Sequence, residues 1–470
     1  MKSKKFMLAG LVLLAITMVL LPLSGCKNDT VPPEVEKQEQ EDGGGSETDK
    51  NDTVPETPKY QVTFNVGVNS EATAPASITV ESGTKLTAEQ VKPLADTDTY
   101  SFVGWFDQTK KRVSAGDEIT GDVELTAFWV LNKWLSFTCD DETHLEVQFR
   151  GEVDVPEGME YSTDGNNWTP ITKTQPPIPF GRGTNLYLRA KSPVGTEIPR
   201  TERPYTYGVN YVQFAFEEDT KVQAAGDIRT LVDWENPTEV NTSNARFAKL
   251  FMDCDELVTA PELPAAELAR NCYAWMFSGC TGLTQAPELP ATELAINCYT
   301  RMFSGCTNLT QAPELPATKL AGDCYANMFS GCTSLTQAPE LLAETLADRC
   351  YVGMFSGCTS LTQAPELPAP ELAESCYTSM FSGCTSLTQA PELPAKTLAE
   401  HCYWHMFSGC ENLSSVTMLA TDVSALSALY DWLKDTAEGG TLYVASGMET
   451  DEEITGSLPT GWTVEVAATN

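Results

Sequence analysis

Residues Pro290–Gly305, PATELAINCYTRMFSG, recur in near-identical form down the second half of the chain, and how they coil decides the fold. Pro290 and Thr292 are helix-start residues, and Gly305 stands where a left-handed cap is wanted. Leu294, Cys298 and Met302 fall four apart, with Ala295, Tyr299 and Phe303 beside them. At about 100° per residue these six apolar positions cover roughly half of a helix circumference, which predicts an amphipathic helix. The following Leu309–Leu315, LTQAPEL, is short and interrupted by proline, which predicts one strand per coil. Placing Ala260, Ala286, Ala312, Ala338, Ala364 and Ala390 in register gives a repeat of 26 residues, each alanine followed by Pro-Glu-Leu. A period of this size means a solenoid, read here as an α/β array of strand-helix coils.

Each coil carries two cysteines eight positions apart, a pattern open to disulfide, metal or nucleophile readings. On a helix Cys298 and Cys306 are separated by about 12 Å of rise, less what the Gly305 turn folds back, whereas bridged cysteines need Cα atoms within about 7 Å. Structural zinc wants ligand pairs two to four residues apart, so no metal site is expected. A nucleophile needs a base, and the chain has three histidines, of which His401 and His405 lie in the final repeat. The remaining reading is soft, buried filler stacked in two columns: Cys272, Cys298, Cys324, Cys350, Cys376 and Cys402 in one, and Cys254, Cys280, Cys306, Cys332, Cys358, Cys384 and Cys410 in the other. The competing reading is bridging between neighbouring coils, which an exported location permits.

The repeat APELPATELAINCYTRMFSGCTNLTQ resembles the BspA-like leucine-rich repeats of bacterial surface lipoproteins. The likeness extends upstream to AGDIRTLVDW and FAKLFMDCDEL, where Cys254 holds the ladder position and Phe247 stands where later repeats carry tyrosine. Downstream it reaches LATDVSALSALYDWLKDTAEGGTLYV and GSLPTGWTVEV. Leu342 replaces an expected proline, Pro370 enters one turn, and His401 and Trp404 decorate the last helix. The expected order is an N-terminal cap and first half-coil over 211–256, a leucine-rich-repeat array over 257–415 and a C-terminal cap over 416–470, since an open solenoid exposes its core.

The chain opens with three lysines in Met1–Lys5, an apolar run over Phe6–Leu23, and Leu23-Ser24-Gly25-Cys26. Residues 1–26 read as a secretory signal, and the last four resemble the lipobox of bacterial lipoproteins, which implies acylation of Cys26. Residues 27–59 are rich in Glu, Asp, Lys, Pro and Gly and use NDTVP twice, the composition of a disordered tether. The formal net charge of −35 argues against nucleic-acid binding and against electrostatic adhesion to anionic membranes, leaving the lipid as the only membrane contact.

Residues 60–130 alternate apolar and polar side chains and predict a small β domain. YQVTF (60–64), FVGWF (102–106) and LTAFW (125–129) resemble the Listeria-Bacteroides repeat, or InlB B-repeat, a compact β-grasp-like spacer of bacterial surface proteins. Trp105 and Trp129 are read as core in preference to a sugar-stacking platform. Residues 134–210 alternate as well, with Asp164-Gly165 suited to a hairpin turn, and predict a β-sandwich-like module. His144 is read as a lone, solvated histidine.

Successive coils present Gln285, Gln311, Gln337, Gln363 and Gln389, and a file of Glu262, Glu288, Glu314, Glu340, Glu366 and Glu392. This is the candidate binding face, suited to cations or a basic partner; the plainer alternative is a solvated face or a set of turn caps. No cofactor is expected, and no pair of carboxylates converges for glycan hydrolysis. The resemblance implies a cell-surface or outer-membrane lipoprotein that adheres to extracellular protein or glycan without enzymatic activity. A structural spacer or variable surface coat without a specific ligand fits the same repeats.

Overall fold

The computed structural model describes residues 57–67, 72–97, 99–197 and 210–468. The segment read as a signal, Cys26 and residues 27–56 of the expected tether lie outside these residues, while Lys59, at the end of that segment, begins the first strand. Among the described residues the only helices are a single 3-10 turn, Ile228–Leu231, and a short α-helix, Glu452–Gly456.

The expected strand-helix coil is therefore corrected, because Pro290–Gly305 and its counterparts contain no α-helix and build a ladder of overlapping β-turns. Cys298, Thr300, Met302, Ser304 and Cys306 each donate their amide to the carbonyl three residues back, at 3.0–3.3 Å. The intervening Asn297, Tyr299, Arg301, Phe303 and Gly305 donate to the next coil, onto Gly322, Cys324, Ala326, Met328 and Ser330, at 2.8–3.1 Å. One half of the backbone closes turns and the other half binds coil to coil, which satisfies both sets of peptide groups without a helix.

Asn297, Arg301 and Gly305 have φ of 58°, 54° and 80°. Each is the third residue of its turn, where a type II turn requires positive φ. The sequence carries the reason in its period. Apolar pairs recur every four residues, and an α-helix stepped by four over-rotates by about 40° each time, so its stripe drifts off the core. A ladder of turns with a true period of four keeps every pair inward.

Non-glycine residues at these positions are strained by about 1–2 kcal/mol each. Ser379 (φ 54°) occupies the place that Gly353 fills one coil earlier. Ser379→Gly is expected to raise the unfolding free energy by up to about 1 kcal/mol in urea denaturation. In an α-helix the same change would lower it by several tenths.

The expectation of one strand per coil is also corrected. Paired strands occur at the first coil (Leu257–Thr259) and the last (Glu392–Leu393). Between them the APELP segments form no paired strand, and isolated bridges link the coils just after them, as Glu293 with Lys319 and Thr345 with Glu371. Their prolines lack the amide that a continuous sheet would need.

The small N-terminal β domain forms a sheet in which Lys59–Asn65 lies parallel to Val123–Leu131 and antiparallel to Ile78–Glu81, with Tyr100–Phe106 on the far side of Val123–Leu131. Trp105 and Trp129 are 1% and 3% exposed, and their indole nitrogens donate to Lys92 O and Val66 O. They are core residues.

The sandwich packs a sheet centred on Leu135–Cys139 and Leu186–Arg189 over one containing Ile178–Phe180, Thr143–Arg150 and Tyr211–Phe216. Phe137 and Phe214 meet between them at 6.0 Å. Strands Tyr211–Phe216 and Val222–Ala225, from the segment read as the array's cap, belong to these two sheets. Val222–Ala225 pairs in parallel with Leu257–Thr259, so the sandwich itself starts the array. One apolar core runs from Leu135 through every coil to Trp462. At the far end, four parallel strands, Glu392–Leu393, Ser415–Met418, Gly440–Val444 and Trp462–Val466, finish it.

Candidate functional site

All thirteen column cysteines are unbridged and buried. In the longer column each thiol makes a specific bond: Cys306 Sγ donates to Phe277 O at 3.1 Å, Cys332 to Phe303 O at 3.1 Å, and Cys410 to Phe381 O at 3.0 Å. The accepting carbonyl already closes a turn, and its second lone pair takes the thiol. Burial pushes these thiols up, to about 12 for Cys324, Cys332, Cys402 and Cys410. A thiol held protonated lacks the thiolate needed for attack or metal ligation. Among the described residues no three His, Cys, Asp or Glu side chains gather to hold a metal.

Aromatic columns run beside the sulfur. Tyr273 to Tyr403 stack coil upon coil at 5.8–6.2 Å, and Phe251 to Phe407 at 5.5–5.8 Å. Phe247 opens the first stack on Tyr273 at 6.0 Å, and Trp432 closes it on Tyr403 at 6.4 Å.

The glutamate and glutamine files, Glu262 to Glu392 and Gln285 to Gln389, are exposed in every coil. Partial burial first, then Asp227 and Glu288, raise the Glu262 carboxyl, with Arg229 opposing. These files carry the same residues in each coil. His144 is not solitary: its Nδ1 lies 3.3 Å from Glu217 and its Nε2 3.8 Å from Glu146.

The turn ladder has a further face at which the coils differ, with some of its side chains exposed (Ile296, Arg349, Trp404) and others buried (Ala274, Asn297, Thr300, Ser375). Two pairs of positions flank each Cys-Tyr: Arg270-Asn271 and Ala274-Trp275, then Ile296-Asn297 and Thr300-Arg301, ending with Glu400-His401 and Trp404-His405. The structure aligns these pairs coil on coil, through bonds such as Trp275 N to Thr300 O and Asn271 N to Ile296 O. Neighbours along the file touch, with the Arg301 guanidinium 4.7 Å from the Trp275 ring and Thr300 Oγ1 donating to Asp323 O. Sequence reading missed this face because it took the constant positions as the signal. The variable ones were visible as the pairs on either side of Cys-Tyr that the duplicated unit keeps changing between a constant alanine and a constant MFSGC.

At its C-terminal end the face turns aromatic. Trp404 meets His401, His405 and Tyr430 at 5.1, 5.6 and 6.0 Å. Tyr430 and Leu426 border a cleft of about 1040 Å3 between the last turns and residues 452–459. The chain was compared with family models, curated proteins and solved structures, and none of them matches it.

Proposed function

We propose that the protein is a non-enzymatic, surface-anchored binding protein of the BspA-like type, tethered through lipid on Cys26, whose array offers the variable face of its turn ladder to an extracellular protein or glycan. One observation carries the reading: the four turn-ladder positions flanking each Cys-Tyr change from coil to coil and include large aromatic and arginine side chains, Trp275, Arg301, Arg349 and Trp404, while the buried columns and the glutamate file stay fixed. Arg349 and Trp404 are exposed and Trp275 and Arg301 half-buried, so these four can be met by a ligand.

A variant of the full chain with Trp275→Ser, Arg301→Ser, Arg349→Ser and Trp404→Thr places on this face side chains that other coils already carry there, Ser375, Ser379 and Thr378. Attachment of cells displaying it to a panel of immobilised matrix proteins and glycans is expected to fall at least about tenfold, the effect of losing one good aromatic or arginine anchor. Unchanged attachment rejects the reading and leaves a spacer or coat. Loss confined to a Glu288→Gln, Glu314→Gln, Glu340→Gln variant moves the ligand to the glutamate file.

A further inference from the structure

We propose that the cleft at the C-terminal end of the turn ladder receives a lysine or arginine side chain of a basic protein segment. The proposal rests on the reading of the turn ladder as a binding face and names the chemistry taken at one end of it.

Leu426 and Tyr430 are the two most exposed large apolar side chains among the described residues, at 65% and 56%. They lie four apart on the turn ladder, His401 and His405 donating their amides to the carbonyls of Leu426 and Tyr430 at 3.1 Å. Neither is covered by the cap that follows, although Trp432 and Leu433 beside them are fully buried. Uncovered aromatic surface at a cleft marks a place of contact.

The two rings set the shape of that contact. Tyr430 and Trp404 meet edge to face with an interplanar angle of 83°, so they form a corner in which Tyr430 is the ring that lines the cleft. A pyranose wants one flat ring to lie on. An ammonium or guanidinium gains from ring faces on more than one side, as in aromatic cages.

Charge points the same way. Asp431, Asp435, Glu452 and Glu453 line the cleft against a single cation, Lys434. Lys434 is taken by Asp431 at 3.3 Å, which leaves Asp435, Glu452 and Glu453 without an ion pair among the described residues. A cationic side chain entering the cleft meets the Tyr430 ring and these carboxylates, which line it together.

The test uses the full chain and a fluorescent octalysine, followed by anisotropy at about 0.15 M salt so that diffuse attraction is screened. Tyr430→Ala leaves the net charge alone and removes an exposed ring; it is expected to weaken octalysine binding about three- to tenfold. Glu452→Gln with Glu453→Gln is expected to weaken it about tenfold. Glu344→Gln with Glu371→Gln makes the same charge change on an exposed part of the array and is expected to stay within about twofold.

Equal losses from the two carboxylate pairs would mean attraction to the acidic chain at large and overturn the proposal. An unaffected Tyr430→Ala also overturns it. Tyr430-dependent binding of chitohexaose in place of octalysine would make the cleft a glycan site. If octalysine fails while the turn-face variant still loses attachment, only the cation site is removed; if both fail, the binding-face reading goes too.

Discussion

Raised from neutral pH to about pH 10, the protein is expected to lose its repeat array in a cooperative alkaline transition. Burial holds the thirteen column thiols protonated in the folded chain, with values such as about 12 for Cys332 and Cys410, against an ordinary thiol value of about 8.5. A group whose folded value is raised favours the folded state fully below its unfolded value, and that contribution is lost as pH climbs toward the folded one. Each thiol therefore loses about 1.4 kcal/mol per pH unit above the unfolded value, or about 2 kcal/mol at pH 10. Thirteen acting together exceed the whole stability of an ordinary domain, about 5–15 kcal/mol. The buried tyrosines, raised by the same burial, add to the effect at higher pH. Near-ultraviolet circular dichroism against pH is the measurement. An array that keeps its aromatic signal beyond about pH 11 would show that the thiols are not held neutral in the core.

Phe329→Ala is expected to split the array. The ring is fully buried and stacks on Phe303 at 5.7 Å and on Phe355 at 5.8 Å. Its removal costs about 3–5 kcal/mol through lost transfer energy and a cavity between coils. In a solenoid each coil meets only its neighbours, so the loss falls on one junction and not on the whole cooperative unit. Urea unfolding of the variant should separate into two transitions, the sandwich with the first coils and the C-terminal coils with their cap. One transition shifted by less than about 1 kcal/mol would mean that the stack contributes little and that coupling runs through the backbone.

The repeat, the two files of sulfur and the alternating strands of the N-terminal modules were all legible as spacing. The helix was not, because Leu294, Cys298 and Met302 satisfy a 3.6 period over three turns nearly as well as a period of four. The distinguishing signs were the strict recurrence through Cys306 and the Asn, Asp, Arg, Ser and His residues that the repeat places at Asn297, Arg301 and their counterparts. These are the non-glycine residues that tolerate the positive φ found at Asn297, Arg301 and their counterparts. The limits of the sandwich were obscured for another reason: Tyr211–Phe216 pairs across a gap of more than sixty residues with Thr143–Arg150, and no local pattern announces such a partner. The variable face went unread because constancy was taken for function, whereas Ala369, Leu367 and the columns are constant because they are buried.

The coil-to-coil bonds have a consequence for inheritance. Every coil donates to the next through the same alternate amides, so a whole unit can be spliced in or out with no donor or acceptor left over, while loss of one residue misplaces them all. Each duplication of the gene segment carries the aromatic tip one coil farther from the sandwich, a step of about 4.8 Å for hydrogen-bonded neighbouring backbones. Unequal recombination among near-identical segments would thus adjust how far the molecule extends without redesigning what it carries at its end.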